Sequence, residues 1–277
     1  MQQEILIPIL ITVAAGLCTG VGSVAALFIK QFKHTYLSVM LGFSAGVMLY
    51  VAFVDLLGKS ITEIGLVTSN LCFFGGILAI AFIERFIPHA YLGEEDVAFP
   101  ADAPAEKIRL HHHHGGRRFR GVKTPDQRRL MNAGLMTAAG IAIHNFPEGM
   151  AVLFTSMHDL TIGASLGVAI ALHNIPEGIA VAMPVYYATG DRKKAFLYSF
   201  FSGVTEPIGA AFGYLIIRPF LTEPVLMGTL SAVAGIMVFI SFDELLPVSF
   251  SHGEEHIAIM GLLIGMAVMA LSLSILI

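Results

Sequence analysis

Eight near-continuous apolar runs dominate this chain, at about residues 5–29, 36–57, 67–87, 131–157, 161–187, 194–217, 224–247 and 257–276. Each is close to or above the roughly 20 residues that a helix needs to cross a bilayer. Inside hydrocarbon every backbone N–H and C=O must be satisfied by protein, so only helices and closed barrels can span it. The runs are rich in Ala, Gly, Leu and Ile and lack the alternation of a barrel strand. Charged residues make up 13% of the chain and the mean hydropathy is +0.77, against about 25% charged residues in soluble domains. The expected fold is therefore an all-α membrane protein of eight transmembrane helices, one domain over 1–277, with the lipid bilayer as its solvent. Spacings such as Gly42-x-x-x-Gly46 and Gly163-x-x-x-Gly167 favour close helix–helix approach. Nothing in the sequence points to a nucleic-acid partner.

The basic residues set an orientation. Fourteen of the sixteen fall in connections on one side: Lys30 and Lys33, then nine from Arg85 to Arg129, then Arg192, Lys193 and Lys194. Only Lys59 and Arg218 lie on the other. The positive-inside rule puts the first set in the cytoplasm. Eight spans then place both termini outside, periplasmic or extracellular, in a cell (inner) membrane protein. The first run has no basic n-region before it and no clear cleavage site, so it reads as a retained span and not a signal peptide. Cys18 and Cys72 lie in apolar stretches and read as small buried residues, not as a disulfide framework. The longest connection, 88–130, is a His-rich cytoplasmic loop expected to be flexible. Its His111-His112-His113-His114 run fits a solvated linker, a weak metal-collecting loop or an engineered stretch.

The chemistry lies in two related hexapeptides. The fourth run carries His144-Asn145-Phe146-Pro147-Glu148-Gly149 and the fifth His173-Asn174-Ile175-Pro176-Glu177-Gly178. Both sit near mid-span, and consecutive spans run in opposite directions, so the motifs meet as an antiparallel pair near the midplane. His and Glu four apart share a helix face. Imidazole with carboxylate suits zinc, iron, manganese and cobalt. Two facing helices supply four such ligands, and Asn145 and Asn174 add carbonyl oxygens beside them. Pro147 and Pro176 each remove a helix hydrogen bond and are expected to kink their spans. Four ionisable groups at this depth would each cost about 2.5–3.5 kcal/mol or more, which a bound cation offsets. Glu206, mid-span in the sixth run and also followed by proline, is a further expected ligand. Asp55 in the second run and Asp243 and Glu244 in the seventh extend the acidic groups toward the two surfaces. His89 and the Ser251-His252-Gly253-Glu254-Glu255-His256 segment are candidate receivers of released metal.

With these residues in place, the chain resembles the ZIP family of divalent metal transporters, and within it the bacterial ZupT-like branch. The paired His-Asn-x-Pro-Glu-Gly segments carry the resemblance, with Leu41-Gly-Phe-Ser-Ala-Gly-Val-Met48, Asp55 and Asp243-Glu-Leu-Leu-Pro247. The resemblance implies movement of zinc into the cytoplasm, with iron, manganese, cobalt or cadmium as other cargo. It implies a binuclear centre: His144, Glu148, His173 and Glu177 at one position, and Asn145, Asn174 and Glu206 with the bridging Glu148 and Glu177 at the other. It also implies inverted three-helix repeats around helices 4 and 5, and a homodimer. Many relatives have His-Glu where this chain has Asp243-Glu244. The expectation is a transporter, not an enzyme, with no catalytic cofactor. No Walker-type loop points to ATP. An intramembrane metallohydrolase and a metal sensor without flux are the alternatives.

Overall fold

The computed structural model describes residues 2–28, 34–85, 125–251 and 255–276. The described residues form eight helical rods. They are α1 (Gln2–Phe28), α2 (His34–Tyr50, continued through Val51–Leu57 and Gly58–Ile64), α3 (Leu66–Glu84) and α4 (Pro125–His158). Then come α5 (Leu160–Thr189), α6 (Arg192–Phe212, continued through Gly213–Ile217), α7 (Glu223–Ile240, continued through Ser241–Leu245 and Leu246–Ser251) and α8 (Glu255–Leu276). Six of them, α1, α2, α3, α5, α7 and α8, are long and apolar enough to cross a membrane by length and composition alone. The other two, α4 and α6, are long enough but begin with charged residues and carry His144, Asn145, Glu148 and Glu206. Their polarity is the candidate site itself.

The end of the expected 88–130 loop falls inside a helix, because α4 starts at Pro125. Proline suits a first helical position, where its missing N–H would have no partner anyway. His89, His111–His114 and His252 lie outside the described residues. His256 is exposed in the first turn of α8.

The α4–α5 connection positions the motifs. It is the single residue Asp159, whose carboxylate accepts from the backbone N–H of Thr161 (2.8 Å) and Ile162 (3.0 Å) and so caps α5. A one-residue turn leaves no freedom but an antiparallel hairpin. His144 lies fifteen residues before Asp159 and His173 fourteen after, about 21–22 Å along either helix. The two motifs are therefore level. α5 ends at Gly190 in the left-handed region (φ 65), and Asp191 caps α6 in turn.

Burial grades outward from α5. Within its most apolar window 78% of α5 is buried, against 22% for α3 and 28% for α8. α5 packs on α1, α2, α4 and α6, whereas α3 leans on α7 and α8 on α2. Exposed Leu71, Phe74, Leu78 and Phe82 on α3 give that helix its lipid face. Backbone-to-backbone contact through glycine joins the rods. A Cβ at Gly42 or Gly46 would strike the Ala258 or Leu262 carbonyl of α8, and one at Gly76 would strike that of Ala232 in α7.

α2 and α7 each contain a π-helical turn, Val51–Leu57 and Ser241–Leu245. Such turns add a residue without breaking the rod and recur at functional sites. These two hold Asp55 and the Asp243-Glu244 pair. Pro147 and Pro176 lie within unbroken helices.

Candidate metal centre

All seven of the expected ligands, His144, Asn145, Glu148, His173, Asn174, Glu177 and Glu206, are fully buried at 0% exposure. His and Glu pair across the hairpin and not along one helix. His144 Nε2 lies 3.1 Å from Glu177 Oε2, and His173 Nε2 lies 3.4 Å from the Glu148 carboxylate. The level antiparallel register sets the two His side by side, each within about one helical turn of the Glu on the other helix and so within side-chain reach. Asn174 Nδ2 donates to Glu206 Oε2 (2.8 Å) and ties α6 to the pair. Among the described residues, no three His, Cys, Asp or Glu groups are gathered as a ready cage for a metal ion. The groups are instead held as crossed pairs.

Six of the seven nevertheless keep one buried polar atom without a hydrogen-bond partner among the described residues. These are His144 Nδ1, Asn145 Oδ1, Glu148 Oε1, His173 Nδ1, Asn174 Oδ1 and Glu206 Oε1. Each such atom costs about 1–3 kcal/mol. Their concentration in one small volume is what a site built for a further ligand looks like, and nitrogen and oxygen lone pairs specify a cation. Six further buried atoms lack a partner among the described residues, five hydroxyls (Thr19, Ser23, Thr155, Ser156 and Ser165) and one Glu84 oxygen, so half of the unmet demand falls on these seven side chains.

The neighbouring helices hold this arrangement twice over. Asn174 Nδ2 donates to the Ala15 carbonyl of α1 (2.9 Å), and Asn145 Nδ2 donates to the Ser202 carbonyl of α6 (3.2 Å). A Cβ on Gly178 would strike the Thr19 carbonyl, and one on Gly149 the Glu206 carbonyl. Gly22 meets Ile175 O as Gly209 meets Phe146 O, and Gly16 and Gly203 face each other's carbonyls. The motif glycines are thus needed for close approach, so that α1 and α6 lie flush against the hairpin.

The outlying acids differ. Asp55 is buried and ion-paired with Lys59, one turn further along α2. It lies eleven residues beyond Ser44, about 16 Å along the helix. Glu244 reaches α4 at Gly140, where an added Cβ would sit 2.7 Å from its carboxylate. That is one turn before His144, about 6 Å. Glu84, buried at the end of α3, lies beside Asp243 and Glu244.

Three contributors escape a reading of the motifs alone. The Ser44 hydroxyl donates to Glu177 Oε1 (3.1 Å), with the His173 carbonyl at 3.4 Å. Glu84 joins the inner acids, and Gly140 makes room for them. Ser44 lies within the Leu41–Met48 segment, so its neighbourhood was visible but not its partner. Glu84 closes an apolar run, where a carboxylate usually meets water.

The family profile described as "ZIP Zinc transporter" matches residues 4–273. The chain belongs to the ZIP family. ZIP relatives that align along almost the whole chain include "Zinc transporter ZupT" of Chlorobium phaeovibrioides, 49% identical over 96% of both chains. The protein of the same description from Clostridium perfringens is 44% identical over 98% of this chain and 96% of its own. That of Streptococcus mutans is 44% identical over 99% and 98%. The resemblance to the ZIP family is therefore borne out along nearly the whole chain.

Proposed function

We propose that this protein takes up divalent transition metal ions, zinc foremost, across the cytoplasmic membrane through a binuclear centre on α4, α5 and α6. The observation that carries the reading is the set of six buried polar atoms without a hydrogen-bond partner among the described residues, around two crossed His–Glu pairs. His144, Glu148, His173 and Glu177 form the first position. Asn145, Asn174 and Glu206, with Glu148 and Glu177 bridging, form the second. Iron, manganese, cobalt and cadmium are the other ions this donor set accepts.

The ion enters past Asp55, sheds water, and replaces the protons that bridge the crossed pairs. It leaves toward Glu244, Asp243 and Glu84. Both chain ends lie outside, in keeping with the basic connections inside. α1–α3 and α6–α8 are inverted repeats about the α4–α5 hairpin, and relative movement of helices opens one side and then the other. The unit in the membrane is a homodimer, by family resemblance. Transport, not catalysis, is the activity: the His-Glu-x-x-His pattern of metalloproteases is absent from the sequence.

The test is zinc uptake into proteoliposomes holding the full chain. The Glu148→Ala/Glu177→Ala variant is expected to fall to the level of empty vesicles. Unchanged uptake by that variant would sink the assignment.

A further inference from the structure

The recurring contacts of the centre obey two fixed intervals. Ala15, Gly16, Thr19 and Gly22 of α1 correspond to Ser202, Gly203, Glu206 and Gly209 of α6, always 187 positions on. The α4 motif corresponds to the α5 motif, always 29 positions on. A local two-fold axis relating these four helices runs between Gly16 and Gly203, where each glycine meets its own counterpart. Under that axis the place of Glu206 is taken on α1 by Thr19. Glu206 binds Asn174, so Thr19 stands toward Asn145.

Thr19 is fully buried, and its Oγ1 has no partner among the described residues. Buried Thr155 shares this, although a helical threonine often bonds the carbonyl four residues back. Thr12, Thr189 and Thr229 do so, to Pro8, Val185 and Val225 at 2.7–3.0 Å. The corresponding carbonyl for Thr19 is Ala15 O, which receives the Asn174 amide. Thr19 Oγ1 also lies 2.9 Å from where a Cβ on Gly203 would stand, in the α1–α6 crossing at the axis. Asn145 Oδ1, the group its two-fold position faces, is unpaired as well.

We propose that Thr19 is a ligand of the second metal position, supplying its hydroxyl oxygen opposite Glu206. The inference rests on the two-position reading above and adds a fourth helix to it. The second position then has oxygen donors from Asn145, Asn174, Glu148, Glu177, Glu206 and Thr19, and no nitrogen. Six oxygens suit a harder octahedral ion such as manganese, whereas the imidazoles of the first position suit zinc. Thr19 in place of a second glutamate also keeps one negative charge out of the centre. The two positions therefore differ in selectivity, and Thr19 helps to set the difference.

Manganese binding to the metal-stripped full chain in detergent, read by electron paramagnetic resonance with zinc at saturation of the first position, tests this. Wild-type protein is expected to hold manganese alongside zinc. Thr19→Val keeps the shape and removes the hydroxyl; it is expected to weaken manganese binding at least about tenfold while zinc affinity stays within twofold. Thr19→Ser is expected to restore it. Melting in detergent checks folding, and Thr19→Ala replaces the valine variant if that one does not fold. Manganese binding by the hydroxyl-free variant equal to wild type overturns the inference alone. Wild-type protein that holds zinc but no manganese overturns the two-position reading and the inference together.

Discussion

The α1–α5 and α6–α4 pairs are built from the same contacts, yet their chemistry diverges at one place. Both bury a glycine against a backbone carbonyl on each side of the motif, and both catch an asparagine amide on a helix carbonyl. On α6 the residue in the crossing is Glu206, bonded to Asn174; on α1 it is Thr19, bonded to nothing described. Backbone packing repeats because close approach depends only on glycine placement. Side-chain chemistry is free to differ because the glycine opposite each of these residues, Gly203 for Thr19 and Gly16 for Glu206, leaves room at the crossing. The frame is symmetric and the charge is not.

The largest effect should come from breaking the frame. Gly149→Leu and Gly178→Leu each place a side chain on a carbonyl of α6 or α1, and each is expected to cost about 3 kcal/mol or to abolish folding. Gly75→Leu, with nothing within 4 Å of its Cβ, is expected to leave the melting temperature in detergent unchanged. Unequal losses for Gly149 and Gly178 would break the claimed equivalence of the halves.

Next come the crossed pairs, which are equivalent in kind. His144→Ala and His173→Ala are each expected to weaken zinc binding by at least about 100-fold, by similar factors, in competition with a chelating dye. Zinc binding must displace the protons held in those pairs, so affinity falls as pH drops. A large difference between the two histidines would show that one pair alone binds zinc.

The asparagines sharpen the asymmetry. Asn174→Ala gives up two hydrogen bonds and leaves Glu206 buried without its donor, about 2 kcal/mol; Asn145→Ala gives up one, about 1 kcal/mol. Thermal unfolding of the two variants in parallel checks the order, and a reversal would place the charge on the wrong half.

The smallest effect lies at Asp55. Its Lys59 partner is 32% exposed, and partly exposed ion pairs contribute at most about 1 kcal/mol. Lys59→Ala is expected to leave melting within that limit and to raise metal uptake a few-fold at low ionic strength, since Asp55 then faces the ion unpaired. Uptake that falls would mean Lys59 orders the outer end of α2 and does not compete with the metal.

Much of this was legible in the sequence because hydrophobic run length and motif spacing are local. The α1, α3, α5 and α8 ranges follow the apolar runs to within a few residues. α2 and α7 extend further, as π turns carry the rods past Asp55 and past Glu244. Eight apolar runs, level hexapeptides and a short turn between the fourth and fifth runs follow from residues near one another in the chain, and the proposal of His144, Glu148, His173, Glu177 and Glu206 as ligands rests on the same local pattern. Tertiary structure alone decided which His meets which Glu, that Ser44 and Glu84 join, and that Thr19 is the counterpart of Glu206. The His–Glu pairs span 25 and 33 residues across the hairpin, whereas Ser44 and Thr19 meet their partners or counterparts on rods 129–187 residues away. Such contact carries no local signal, because a carbonyl that accepts a glycine's close approach can belong to any residue.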